Sequence, residues 1–198
     1  IVPLGMRIVQ RACGQAGEWQ GSGHNVSMAV NISGRQLQED GFARAFLDEV
    51  ESAQIDPTHI TVEITETVFT SGFDVARKAV DEIRSGGCVV AMDDFGTGYS
   101  SLAWLRDLPI DVVKLDRSFI TDLAVSDQAM AMVAAVVGVA KALDLGLVAE
   151  GVEERAQVDI LAELGCSHVQ GYVFGRPVPP TDFADLLLAN APMTATGV

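Results

Sequence analysis

The sequence predicts an α/β fold of the parallel (β/α) barrel kind, TIM-type in architecture. Three observations predict it. Short, nearly continuous apolar runs alternate with amphipathic helical segments, the pattern of parallel strands with helices packed outside them. These runs end repeatedly in a polar or charged group, over residues 26–31, 61–66, 88–94, 110–116, 145–150 and 167–170. One of them closes on two adjacent carboxylates, Asp93 and Asp94, and opens onto the Gly-rich stretch Phe95-Gly96-Thr97-Gly98-Tyr99. Several strands delivering chemistry from one end is how a (β/α) barrel builds an active site, whereas an open doubly wound sheet gathers its ligand groups at one switch point.

The elements follow in order. Ile8, Val9, Ala12, Cys13 and Ala16 share one face of a helix over 4–19, and a strand over 26–31 comes next. Ser33 has the character of a cap ahead of a helix over 42–53, whose stripe is Phe42, Ala45, Phe46, Val50 and Ala53. Pro57 turns the chain into a strand over 60–65, and a helix over 75–85 is stopped by Gly86-Gly87 before a strand over 88–93. A helix over 100–106 halts near Pro109, and the fourth strand is expected over 110–116. Helix 129–143 with strand 146–150, and helix 155–164 with strand 167–170, complete the alternation. A helix over 181–189 closes the domain, expected over 1–191, and 192–198 reads as a loose tail.

That count gives six strands. A complete barrel has eight and runs to about 250 residues. The 198 residues here therefore fall short by roughly 50, the size of two strands and their connections. The shortfall is expected before Ile1, and a first residue other than Met suggests a fragment of a longer polypeptide. The fold class is thus a TIM-type barrel that is N-terminally truncated or has its first strands not included.

At 48% apolar and 20% charged residues the chain can bury a sizeable core. Its most apolar stretch, 129–148, is interrupted by Lys141 and Asp144 and reads as a buried helix running into a strand rather than a membrane span. No secretory signal is visible. Cytoplasmic residence is expected, with any membrane anchor in segments of a parent protein. Cys13, Cys88 and Cys166 are odd in number and lack C-x-x-C spacing, as reduced core thiols do. The formal net charge of −14 argues against a protein that tracks polymeric nucleic acid by neutralising phosphates. A small anionic ligand stays possible where bound cations reverse the local field.

Neighbouring carboxylates such as Asp93 and Asp94 repel one another unless a hard cation shares them, and oxygen-only donors favour Mg²⁺, Mn²⁺ or Ca²⁺ over zinc. Glu63, between Val62 and Ile64, would be costly on an apolar strand without a cation or partner. Asn31 alone could simply cap the next turn. His168 reads as packed or hydrogen-bonded.

Six blocks carry a more specific signal: Val30-Asn31-Ile32-Ser33, Glu63-Ile64-Thr65-Glu66, Asp93-Asp94-Phe95-Gly96-Thr97-Gly98-Tyr99-Ser100-Ser101-Leu102, Lys114-Leu115-Asp116-Arg117-Ser118-Phe119, Ala149-Glu150-Gly151-Val152-Glu153 and Gln170-Gly171-Tyr172. In this order and spacing the chain resembles the EAL-domain cyclic-di-GMP phosphodiesterases over nearly its whole length. The tripeptide Glu-Ala-Leu that names the family is absent from these residues. In the family it lies on an early strand and its Glu is a metal ligand. A substrate-holding Arg on that strand and an upstream Gln are absent too.

The resemblance implies a metal-dependent phosphodiesterase that opens cyclic-di-GMP to linear pGpG by in-line attack of an activated water, using two ions of Mg²⁺ or Mn²⁺. It implies Asn31, Glu63, Asp93, Asp94 and Glu150 as metal ligands, with Asp93 bridging. The catalytic set it implies is Lys114, Glu66, Glu153 and Gln170: Lys114 orients water or steadies developing charge, Gln170 completes the shell, Glu66 clamps the loop 95–101, and Glu153 supports Glu150 and Lys114. Asp116 either merely caps a helix beginning near Arg117 or, as the likeness implies, also contacts a guanine or supports Lys114. The family likeness further implies a homodimer, fused in the parent to sensor or nucleotide-cyclase domains. Without the early ligand, the chain as given is expected to hydrolyse poorly. The rival expectations are a non-catalytic cyclic-di-GMP receptor and a regulatory dimerisation module.

Overall fold

The structure is a computed structural model and describes residues 1–69, 73–96 and 102–188. Six strands alternate with eight α-helices among these residues, and every strand pairing with a resolved register is parallel. The elements are α1 (Val2–Gly21), β1 (Met28–Asn31), α2 (Gly34–Leu37), α3 (Phe42–Ser52), β2 (Ile60–Thr65), α4 (Phe73–Ser85), β3 (Val89–Phe95), α5 (Leu102–Asp107), β4 (Val112–Leu115), α6 (Asp127–Ala142), β5 (Gly146–Ala149), α7 (Arg155–Leu164), β6 (His168–Val169) and α8 (Pro180–Leu188). Three-residue or four-residue 3-10 turns lie at Pro57–His59, Glu66–Phe69 and Arg117–Phe119. The fold is α/β, of the TIM-type (β/α) barrel class, represented by six strand-and-helix units.

Two compact units separate among the described residues, one within 1–92 and 102–111, the other within 93–96 and 112–188, so the division falls inside β3. In the first unit the strands follow the chain in the order β1-β2-β3, with Met28 opposite Ile60 and Asn31 opposite Glu63. Its core is built from helix faces and strands buried on both sides. Val9, Cys13 and Ala16 of α1, Phe46 and Val50 of α3, and Ala76, Val80 and Ile83 of α4 are all buried, as are Val62, Ile64 and Val90. In the second unit the order is β3-β4-β5-β6, with Lys114 opposite Val148 and Ala149 opposite Val169. Leu115, Ala149, Val152, Leu161 and the α6 residues Val133 and Val137 are buried there. Burying such side chains is the main favourable term in either unit, at roughly 1.5–3 kcal/mol each.

Two expectations are corrected. Ser33 does not introduce the helix beginning at Phe42: it opens the separate short helix α2, and α3 starts after Gly41, whose φ of 77° supplies a left-handed turn. Helix α6 is not buried all round. Only Val133, Val137 and Ala140 are buried, a stripe at spacings of four and three, while Met132 is 49% exposed. Its high hydropathy comes from alanines and valines that lie outside the stripe, and none of the described helices is long and apolar enough to cross a membrane. The three cysteines are buried free thiols, and burial pushes Cys13 and Cys88 up to about 11. The tail 192–198 and the loop residues 97–101 lie outside the described residues.

Gly171, just beyond β6, is where close packing is least forgiving. A Cβ there would overlap the Val152 backbone, whose N–H donates to the Gln170 carbonyl (3.1 Å) and whose carbonyl accepts from Val173 (3.1 Å). Gly171→Ala should therefore cost about 1–3 kcal/mol in urea unfolding; an unchanged midpoint would show that this crossing has slack.

Candidate metal and phosphodiester site

The site residues arrive at strand ends because parallel strands point their C-terminal ends one way. Asp93 and Asp94 stand near the end of β3 after the buried Met92. Asp94 has φ of 55°, a left-handed conformation that Asp tolerates because its short side chain can bond locally, and its N–H donates to Asp93 Oδ1 (3.1 Å). Gly96 continues the loop at φ of 94°, and a Cβ there would overlap the Phe119 ring. Glu150 follows β5, and its N–H donates to the Leu115 carbonyl (3.0 Å).

Lys114 binds this group together. Its side chain is 6% exposed, and Nζ lies 2.7 Å from Glu150 Oε1 and 3.2 Å from Asp93 Oδ1. Asp93, Asp94 and Glu150 each offer a carboxylate oxygen within 4.8 Å of the others. Three carboxylates around one ammonium leave the cluster net negative. Partial desolvation, then the charges of Asp93 and Asp116, hold the Asp94 carboxyl above its ordinary range, with Lys114 pulling the other way. Such a donor set fits a hard divalent cation: it is all oxygen, close-spaced and short of positive charge.

Asp116 follows β4 and caps the turn Arg117–Phe119, its Oδ1 accepting from the Ser118 N–H (3.0 Å). The Ser118 hydroxyl and N–H hold its carboxyl below the usual range. Glu153 pairs with Arg117 (3.0 Å). Gln170 is exposed, and its backbone N–H is fixed to the Ala149 carbonyl (2.8 Å). His168 shares a 2.9 Å hydrogen bond with Ser167.

In the first unit, Asn31 and Glu63 are cross-strand partners, and the Asn31 amide nitrogen donates to Glu63 Oε2 (3.2 Å). Glu63 is only 8% exposed, so its carboxylate sits in an apolar strand with the Asn31 amide against it. Glu66 opens the 3-10 turn Glu66–Phe69, and its Oε2 is buried without a hydrogen-bond partner. Its expected clamp of the loop 95–101 falls largely on residues outside those described. The sequence reading passed over Arg117 and Gln157. Arg117 stood inside a motif and was given no role of its own, while the pattern Glu154-x-x-Gln157 was a readable capping signal.

The chain matches the EAL domain family over residues 1–177. It belongs to that family. It is 37% identical over 191 residues to the bifunctional diguanylate cyclase/cyclic di-GMP phosphodiesterase MucR of Pseudomonas aeruginosa, covering 96% of this chain and 27% of MucR. It is similar to the crystal structure of the EAL domain of Mycobacterium smegmatis DcpA, with a TM-score of 0.89 and 34% identity over 94% of this chain and 84% of that one. A manganese and cyclic-di-GMP complex of Klebsiella pneumoniae BlrP1 superposes with a TM-score of 0.81 and 30% identity, covering 89% of this chain and 45% of that one. This EAL domain spans 22–30% of the length of the curated relatives it matches.

Breaking a buried ion pair by removing one partner strands the other charge. Lys114→Met should therefore cost about 3–5 kcal/mol in chelator, and Lys114→Met with Glu150→Gln should recover part of it. A single variant that unfolds at the wild-type urea concentration would mean that Lys114 does not bind the cluster together.

Proposed function

We propose that this EAL domain hydrolyses cyclic-di-GMP to linear pGpG and depends on Mg²⁺ or Mn²⁺. The observation that carries the reading is the Asp93, Asp94 and Glu150 cluster, with oxygens within 4.8 Å of one another, closed by a buried lysine. The metal-bound and cyclic-di-GMP-bound BlrP1 relative supports the same class of ligand. In the reaction a water oxygen bonds to phosphorus, the P–O3′ bond breaks, and O3′ leaves with a proton.

Asp93, Asp94 and Glu150 would hold a divalent cation, and we assign Asn31 and Glu63 as further ligands, for two ions in all. A bound divalent cation supplies charge neutralisation at the phosphoryl oxygens and eases deprotonation of the attacking water. Lys114 keeps a fixed positive charge beside Asp93 and Glu150, where it also orients water. Gln170 completes the polar shell, Asp116 contacts a guanine, Glu66 steadies the loop 95–101, and Glu153 acts through its pairing with Arg117. Fusion to sensor or cyclase domains fits a chain that is about a quarter of its relatives' length, and the family likeness alone supports a homodimer. Three reduced, buried thiols fit the cytoplasm.

The test is conversion of cyclic-di-GMP to pGpG by the protein containing this chain. Turnover should appear with Mg²⁺ or Mn²⁺, fall with Ca²⁺, whose coordination is longer and looser, and vanish on chelation. Asp93→Asn and Glu150→Gln should each lower kcat by about a hundredfold or more. Tight cyclic-di-GMP binding with no turnover under either cation would instead establish a receptor, and turnover that persists undiminished in chelator would remove the metal from the mechanism.

Glu66→Ala should leave Mn²⁺ affinity within about twofold while lowering kcat about tenfold, the signature of a positioning role. Wild-type kcat in that variant would dismiss the clamp.

A further inference from the structure

Gln157 is one of the few buried polar side chains, 6% exposed, and sits in the first turn of α7. Its Oε1 accepts from the N–H groups of Glu153 (2.9 Å) and Glu154 (3.0 Å). Its Nε2 donates to the Ile120 carbonyl, 3.0 Å away and 37 residues distant in sequence. Ile120 is fully buried and ends the 3-10 turn that Asp116 opens. One amide thus joins the loop that carries Glu150 and Glu153 to the turn that carries Asp116 and Arg117.

Two comparisons show that the donor half is more than a helix cap. A Glu at this position caps a helix N-terminus as well as Gln does, because only an acceptor is needed there and the helix dipole favours negative charge. The chain also contains a second capping box, at Ser33 and Gln36. There Oε1 accepts from the Ser33 N–H (3.1 Å) and hydroxyl (2.7 Å), while the buried Nε2 has no hydrogen-bond partner. A second side-chain link between the two segments, Arg117 to Glu153, joins side chains that are 61% and 44% exposed, where screening leaves little net attraction, and the Glu150 N–H adds a backbone bond to the Leu115 carbonyl.

We propose that Gln157 is a positioning residue of the site, a strut that sets the spacing between the Asp116 turn and the Glu150–Glu153 loop. Its kinetic consequence rests on the phosphodiesterase reading above; its structural consequence does not. Gln157→Glu separates strut from cap, because it keeps both acceptor bonds and sets an oxygen against the Ile120 carbonyl. Gln157→Met, of similar volume, removes both and serves as the second variant should Gln157→Glu fail to fold.

Two measurements are made on the protein containing this chain: amide hydrogen exchange, and KM and kcat for cyclic-di-GMP at saturating Mn²⁺. In Gln157→Glu, exchange at 118–121 should quicken about tenfold while α7 keeps its protection, and KM should rise about tenfold with a smaller change in kcat, the size expected for losing one buried hydrogen bond. In Gln157→Met, exchange should quicken in both segments. Unchanged exchange at 118–121 in either variant overturns the strut, and quickened exchange with wild-type KM overturns its role in the site. A wild-type protein without turnover would defeat the phosphodiesterase reading while the exchange result still decides the strut.

Discussion

A buried ammonium constrains everything around it. Lys114, 5% exposed as a residue, surrenders hydration worth several kcal/mol, and only close oxygen partners repay that. Asp93 at 3.2 Å and Glu150 at 2.7 Å are those partners, one from β3 and one from the residue after β5. The strand between them must therefore hold its register: Lys114 opposite Val148, Leu115 opposite Ala149. A slip of one residue would turn Lys114 to the other face of the sheet and leave both carboxylates facing each other. The left-handed Asp94 follows directly from the Asp93 position, since its N–H is spent on the Asp93 carboxylate.

On the proposed reading, the same cluster would link a metal ion to an anionic substrate through charge. With a net charge of −14 the chain repels a dianionic dinucleotide at long range, and one lysine does not reverse the field of three clustered carboxylates. Divalent cations would do so at the point of contact, and they would also offset the desolvation and, after it, the Asp93 and Asp116 charges that hold the Asp94 carboxyl above its ordinary range. Cation demand and phosphate binding are then one electrostatic requirement. Asp116 is a carboxylate held below its usual range by Ser118, and in the proposed function it is the group that would accept hydrogen bonds from a base edge.

Where punctuation was strong, the fold was legible. Strand Ile60–Thr65 and helix Arg155–Leu164 have the bounds read from sequence, fixed by Pro57 on one side and by Gly165, left-handed at φ of 87°, on the other. Strand β1 is shorter than its apolar run because Val26 donates to the His24 carbonyl in a turn. Strand β4 starts late for a similar reason: Ile110 donates to Leu108. The 3-10 turn Glu66–Phe69 left no sequence signal because four residues are too few to show a period, whereas the turn Arg117–Phe119 was signalled by its Asp116 cap. Motif order brought the carboxylates into view, and Asp93, Asp94 and Glu150 do come together. What the motifs could not say is which charge meets which, since Lys114 and Arg117 are three residues apart and serve different carboxylates.

That division of labour is clearest in the four residues after β5. Glu150 turns to the buried lysine, Val152 is fully buried and exchanges backbone hydrogen bonds with Gln170 and Val173, and Glu153 turns outward to Arg117. A pattern of charge, apolar and charge reads in sequence as a solvated loop. Its meaning is set by the backbone groups of Val152, which can be satisfied only if the Gln170 segment lies alongside, and by the glycine at 171 that lets it approach. The loop is therefore rigid for a reason that lies some twenty residues downstream, and the carboxylate at 150 inherits that rigidity. Preorganised ligands of this kind lower the cost of gathering like charges around an ion, so the packing at Gly171 and the chemistry at Glu150 belong to one argument.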